Sequence, residues 1–214
     1  PSEGSLSASS LVFDATNWST PVTVTVTGLD DEFADGDQAY IVKVGDPSSA
    51  TDPFYDALTD IDTPDVFLIN RDDEVASVVV DNQSGSVTSE AGGTLTFRIT
   101  LTARPQGPVT IPLLSTDTSE ATLSAASAVL DDGNWNTGVV VTVTGQDDNL
   151  LDGDVAYQVT LGDPSSGGDP AFDALGPGDT PDLSLTNTDD EAPGTLSFAV
   201  VSSSVDEADG GPLS

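Results

Sequence analysis

Apolar and polar residues alternate along much of this chain. In "TLTFRITL", Leu95, Phe97, Ile99 and Leu101 fall on one face, with Thr96, Arg98 and Thr100 on the other. "PVTVTVTG" repeats the pattern, with Val22, Val24 and Val26 against threonines, and stops at Gly28. A period of two marks a strand buried on one face only. Turn-forming clusters such as "GDPSSGGDP" and "GPGDTPD" separate these runs. No stretch carries an apolar period of 3.6 residues. The pattern predicts an all-β chain of tandem immunoglobulin-like antiparallel β-sandwiches, without the disulfide because cysteine is absent.

The pattern also repeats. "NWST" from Asn17 and "NWNT" from Asn134 lie 117 residues apart, and at that offset 24–74 and 141–191 align without a gap. The aligned stretches are roughly 60% identical. "SEGSLSAS" from Ser2 meets "SEATLSAA" from Ser119, and "SVDEADGG" from Ser204 restarts the unit that "SVTSEAGG" begins at Ser86. A period of this length is a small domain rather than a solenoid unit, and about seven short strands fit in it. The expected organisation is a partial repeat over 1–74 lacking its first strands, a complete repeat over 75–191, and the start of a third over 192–214. The opening at Pro1 reads as an excised piece of a longer protein. The strands missing from the first repeat are expected from upstream sequence or a neighbouring chain, since an open sheet edge needs a partner. Trp135 and Tyr157 are expected to be buried packing residues, Tyr157 in the position of a tyrosine corner.

Composition narrows the function. Asp+Glu number 37 against four Lys+Arg, a formal net charge of -33. Such a surface cannot displace counterions from nucleic acid or settle on an anionic membrane. Apolar runs are far too short for a bilayer span. Without histidine, cysteine or methionine the chain lacks imidazole and thiol bases, nucleophiles and zinc ligands, so no enzyme is expected. A glycosidase-like carboxylate pair has no aromatic sugar cleft to work in. Sequons occur at Asn17 and Asn82, but Asn17 recurs as Asn134 without one, which marks it as a turn residue.

The acids themselves are organised. "GLDDEFADGDQAY" carries Asp30, Asp31, Asp35 and Asp37, and "GQDDNLLDGDVAY" carries Asp147, Asp148, Asp152 and Asp154. Two carboxylates about 4 Å apart repel by roughly 4 kcal/mol at an effective dielectric of 20. Several converging would strain a domain whose whole stability is about 5–15 kcal/mol. Ca2+ relieves such a cluster, because it accepts six to eight hard oxygens at flexible geometry, where Mg2+ wants fewer carboxylates in a strict octahedron. The spacing is not that of an EF-hand. The competing reading is a solvated acidic coat suited to a salty medium. Such a coat needs charge anywhere, whereas most of these aspartates recur at matched positions.

"SVTSEAGGTLTFRITL", "STDTSEATLS", "NWNTGVVVTVTGQDDNLLDGDVAYQVTL" and "NTDDE" together resemble the Calx-beta domain. The similarity spans the central repeat and most of the partial ones, in the form seen in tandem arrays of large bacterial surface proteins. It implies a Ca2+ site at one tip of each sandwich. Carried over by position, the ligands in the complete repeat are Glu90, Asp117, Asp147, Asp148, Asp152 and the exit triplet Asp189, Asp190 and Glu191. Asp154 stands where the family places a glutamate further on, and joins the candidates. In the first repeat the matching residues are Asp30, Asp31, Asp35, Asp37, Asp72, Asp73 and Glu74; in the third only Glu207. The resemblance implies a secreted bacterial protein at the cell surface, its repeats joined to neighbouring repeats or copies by strand or tip-to-tip contacts. The expected role is a Ca2+-stiffened spacer, stalk or filament. The alternative is an adhesion module whose loops bind a glycan or protein.

Overall fold

The computed structural model describes residues 3–82, 84–176, 178–197 and 199; Glu207 lies outside them. The first repeat contributes β1 (Gly4–Leu6), β2 (Val26–Gly28), β3 (Gln38–Val42), the one-turn helix α1 (Pro53–Asp56) and β4 (Val66–Asn70). The second contributes β5 (Val78–Asn82), β6 (Val87–Ser89), β7 (Thr94–Leu101), β8 (Val109–Ser115), β9 (Ala121–Leu123) and β10 (Ser127–Leu130). It continues with β11 (Val139–Gly145), β12 (Val155–Leu161), β13 (Ser165–Ser166), the one-turn helix α2 (Pro170–Asp173) and β14 (Leu183–Thr188). Among the described residues no helix is long and apolar enough to cross a membrane.

The second repeat is a β-sandwich. One sheet runs β5-β7-β11-β9 and the other β10-β8-β12-β14-β6, with β13 also on β8. All pairs are antiparallel except β6 with β14, which run parallel. The alternation read from "TLTFRITL" holds: Leu95, Phe97, Ile99 and Leu101 all enter the core. They meet Val109, Ile111, Val159, Leu185 and Phe172 from the opposite sheet and from α2. More strands are present than the seven expected because three paths are broken. Gly85, at φ 106, lets the chain leave one sheet after β5 and join the other as β6. Ser124, Ala125 and Ala126 separate β9 from β10, and Pro164 lies in the break between β12 and β13.

The aromatic expectations divide. Tyr157 is buried, but its hydroxyl meets the Thr88 side chain 69 residues away rather than a nearby upstream backbone group, so it is no tyrosine corner. Trp135 is only half-buried and packs on the edge of the core. Its position follows from the Asp131–Asn134 turn, which sends the Trp135 carbonyl to the Leu101 amide at 2.8 Å. The indole therefore closes the base of the sandwich instead of filling its middle.

Each element of the first repeat matches one of the second: β1 with β9, β2 with the end of β11, β3 with β12, α1 with α2, and β4 with β14. Their burial differs completely. The first repeat forms two separate two-stranded ribbons, β1-β2 and β3-β4, and no described residue from 3 to 74 is buried. Tyr55 is 61% exposed where its counterpart Phe172 is fully buried. Equal sequence pattern thus accompanies unequal burial: in the second repeat these elements pack with β5 to β8, and among the described residues the first repeat's ribbons have no strands in the matching places.

Candidate metal site

Four backbone segments end at the same tip of the second sandwich. The turn between β6 and β7 brings Glu90, the turn before β9 brings Asp117 and Glu120, the β11–β12 loop brings Asp147, Asp148 and Asp152, and the exit from β14 brings Asp190 and Glu191. Gly145 makes the convergence possible. A Cβ there would strike the Ser89 carbonyl and the Asn187 side chain, so only glycine lets β11 end beside them.

The tip holds two groups of carboxylates. Oxygens of Glu90, Asp147, Asp190 and Glu191 lie within 4.8 Å of one another, and so do oxygens of Glu120, Asp148 and Asp152. In the first repeat Asp30, Asp73 and Glu74 form the matching trio. Glu3, Asp31, Asp35 and Asp72 line the same concavity as that trio. The first group of the second repeat bears the clearest sign of a missing partner. Glu90 is 3% exposed, and its buried Oε2 receives no N–H or hydroxyl donor. Glu191 Oε2 is in the same condition, and the one hydrogen bond open to the pair is the proton that Glu191 shares with Glu90 when it is protonated. Buried acceptors of this kind are rare unless a ligand satisfies them. Hydrogen bonding to Glu90, then to Asp189, with burial, pushes the Glu191 carboxyl up to about 7.

Other predicted acids are engaged by the backbone. Gly153, at φ 80, turns the acidic loop so that its N–H donates to Asp189 Oδ2 at 2.7 Å. The Asp189 N–H donates back to Asp154 Oδ1 at 3.3 Å, and Asp189 Oδ1 accepts from the Glu191 N–H at 2.9 Å. Asp72, with Gly36 and Asp37, reproduces this tie in the first repeat. These bonds hold the Asp189 carboxyl below its usual range, the Glu191 and Gly153 amides foremost. Asp154, Asp189, Asp37 and Asp72 thus fasten the loop to the strand exit rather than joining the convergent oxygens. Asp117 is likewise a turn residue: the Ser119 hydroxyl, then the Ser119 amide at 3.0 Å, lower its pKa.

Glu120 was not among the residues singled out from the sequence. It is 5% exposed, burial raises its pKa, and Asn187 Nδ2 donates to its Oε2 at 3.3 Å. The signal was present: "SEAT" at Ser119 and "SEGS" at Ser2 place Glu120 and Glu3 one repeat apart.

No family model matches the chain, and no curated protein matches it. Among solved structures it is similar to SSP-19, an MSP-domain protein like family member of Caenorhabditis elegans, at TM-score 0.36 and 14% identity over 49% of this chain and 94% of that one. WR4, a C. elegans MSP family member, gives TM-score 0.34 and 10% identity over 53% and 97%. Domains 4 and 5 of the S-layer protein SbsC give TM-score 0.28 and 14% identity over 58% of each chain. Likeness at this level carries no argument about function.

Proposed function

We propose that this chain is a Ca2+-binding structural repeat of a long extracellular protein, of the Calx-beta kind that its motifs resemble, acting as a calcium-stiffened spacer, stalk or surface filament. The observation that carries the reading is the buried, unpartnered Glu90 Oε2 facing Asp147, Asp190 and Glu191. Oxygen-only ligands, several of them anionic and drawn from flexible loops, fit Ca2+ better than a softer or stricter ion. A bound cation would supply the positive charge that four converging carboxylates lack. Glu90, Asp147, Asp190 and Glu191 would hold one ion, and Glu120, Asp148 and Asp152 a second. Asp190 and Glu191 belong to the segment that leaves the sandwich, so holding them fixes the direction in which the chain departs. Placement outside a bacterial cell follows from the same reading, since millimolar Ca2+ is found there.

The loops "DPSSATDPFYDAL" and "DPSSGGDPAFDAL" are close copies. Near-identical units suit length and stiffness, whereas a recognition module would diversify its loops. Calorimetry and X-ray scattering on the purified chain with Ca2+ and with EDTA test the proposal. Saturable binding and a maximum dimension that changes on chelation are expected. Unchanged scattering and melting in EDTA would leave the acids as surface charge.

A further inference from the structure

The centre of the acidic loop does something the carboxylates do not. In the first repeat that loop lies against the base of the second. The Arg104 amide donates to the Glu32 carbonyl at 2.6 Å, and Arg104 Nη1 stands 3.9 Å from Glu32 Oε2. The guanidinium carbon sits 5.1 Å from the centre of the Phe33 ring, within range of a cation–π contact, and its Nε is paired with Asp132. Ala34 packs against the second repeat's core, which at this end includes the fully buried Ala103. Arg104 is one of only four cations in a chain of net charge -33, and among the described residues both ion pairs are its own.

The counterparts of Glu32, Phe33 and Ala34 in the second repeat are Asn149, Leu150 and Leu151. They occupy the same turn of the same acidic loop. Phe33 and Ala34 are half-buried, but Leu150 is 62% and Leu151 56% exposed. Two adjacent leucines in the middle of an aspartate loop have no role in holding a cation, and leaving them in water is unfavourable.

We propose that Leu150 and Leu151 are the docking face for the base of a following repeat of this kind, as Phe33 and Ala34 are for the base of the present one. The acidic loop would then carry two functions on neighbouring residues: carboxylates on either side turned towards the tip site, and the apolar pair between them turned towards the next unit. The joint after the second repeat would be more apolar than the one observed, because Asn149 carries no charge to form an ion pair with an arginine and Leu150 offers no ring. This inference does not depend on Ca2+.

The full chain tests it by exchange of the Arg104 amide hydrogen, which reports closure of the existing joint. Grafting the second loop's pair into the first, as Phe33→Leu with Ala34→Leu, should leave that amide protected to within about threefold of the parent. Phe33→Ser with Ala34→Ser should speed its exchange about tenfold or more while the second repeat's melting is unchanged. Loss of protection in the leucine graft equal to that in the serine variant would overturn the proposal. A longer chain in which residues 75–191 are repeated once supplies the direct test. There Leu150→Ser with Leu151→Ser should enlarge the maximum dimension seen by scattering, and an unchanged dimension would also overturn it.

Discussion

Asn187 Nδ2 donates to Glu120 Oε2 at 3.3 Å, and 117 residues earlier Asn70 Nδ2 donates to Glu3 Oε2 at 3.3 Å. Asn187 is fully buried and also donates to the Gln146 carbonyl at 3.0 Å while accepting from Thr88 Oγ1 at 2.9 Å. It satisfies three polar groups that no water reaches easily. Asn187→Ala should therefore destabilise the second repeat by about 2–3 kcal/mol, the cost of leaving buried groups unpaired. Asn70→Ala, at a half-buried site, should cost less than about 1 kcal/mol. Urea denaturation of the two variants checks the contrast.

Removing one anionic ligand should weaken the ion without disturbing the loop. Asp148 Oδ1 accepts the Leu150 amide at 2.6 Å, a bond that the oxygen of an asparagine can keep. At millimolar Ca2+ and a dissociation constant near 10 μM, the parent gains roughly 2.7 kcal/mol from binding. A tenfold loss of affinity in Asp148→Asn would remove about 1.4 kcal/mol of this. Asp154→Asn should leave the calcium effect nearly intact, because Asp154 serves the Asp189 amide and lies outside the convergent groups. Melting of each variant with Ca2+ and with EDTA separates these outcomes.

Protonation should oppose the ion. Glu191 is raised from 4.5 to about 7, chiefly by sharing a hydrogen bond with Glu90. Between those values the unfolded chain has released this proton and the folded, ion-free chain keeps it. The group's contribution to the stability of the ion-free form is thus full below about 4.5 and declines as pH rises through 7. With Ca2+ present the sign reverses, since the ion must displace the proton. Calcium affinity measured by calorimetry should fall as pH is lowered from 8 to 6, with proton uptake by the buffer near pH 7. Glu191→Gln should flatten that dependence.

Strand alternation and the repeat were legible in the sequence because both are written in local residue order. Leu95, Phe97, Ile99 and Leu101 needed nothing beyond a period of two. Asn17 and Asn134 were legible as turn residues and take the same turn bonds, to Asp14 and Asp131. Counting seven strands missed the places where one path serves both sheets, which depends on Gly85 and on tertiary pairing. The candidate site was legible as a set of acids, but its division of labour was not. Asp148 and Asp154 look alike in the sequence. Only the fold shows that Gly153 turns the loop, so that Asp148 reaches the carboxylates of Glu120 and Asp152 while Asp154 ties the loop to the Asp189 amide. Glu120 escaped because it is a lone glutamate, and the side chain that bonds to it, Asn187, lies on a distant strand.

The same asparagine is the third member of a buried string that starts in the core. Thr88 has one hydroxyl proton, and it goes to Asn187 Oδ1 at 2.9 Å. The Tyr157 hydroxyl, 2.9 Å from Thr88 Oγ1, must then be the donor of that pair. Tyr157, Thr88, Asn187 and Glu120 thus form one polarised series running from the sandwich interior to the carboxylate tip. Thr88→Val breaks it in the middle and strands both a donor and an acceptor, which should cost about 2–3 kcal/mol. Tyr157→Phe removes only the terminal donor and should cost about 1 kcal/mol. The double variant should be less destabilised than the sum of the two, because the hydroxyl that Thr88→Val strands is gone. Thr88→Val should also loosen Asn187 and with it Glu120, so its calcium affinity should fall below that of Tyr157→Phe. Equal calcium affinities in the two variants would mean that the string holds the fold together and does not position the site.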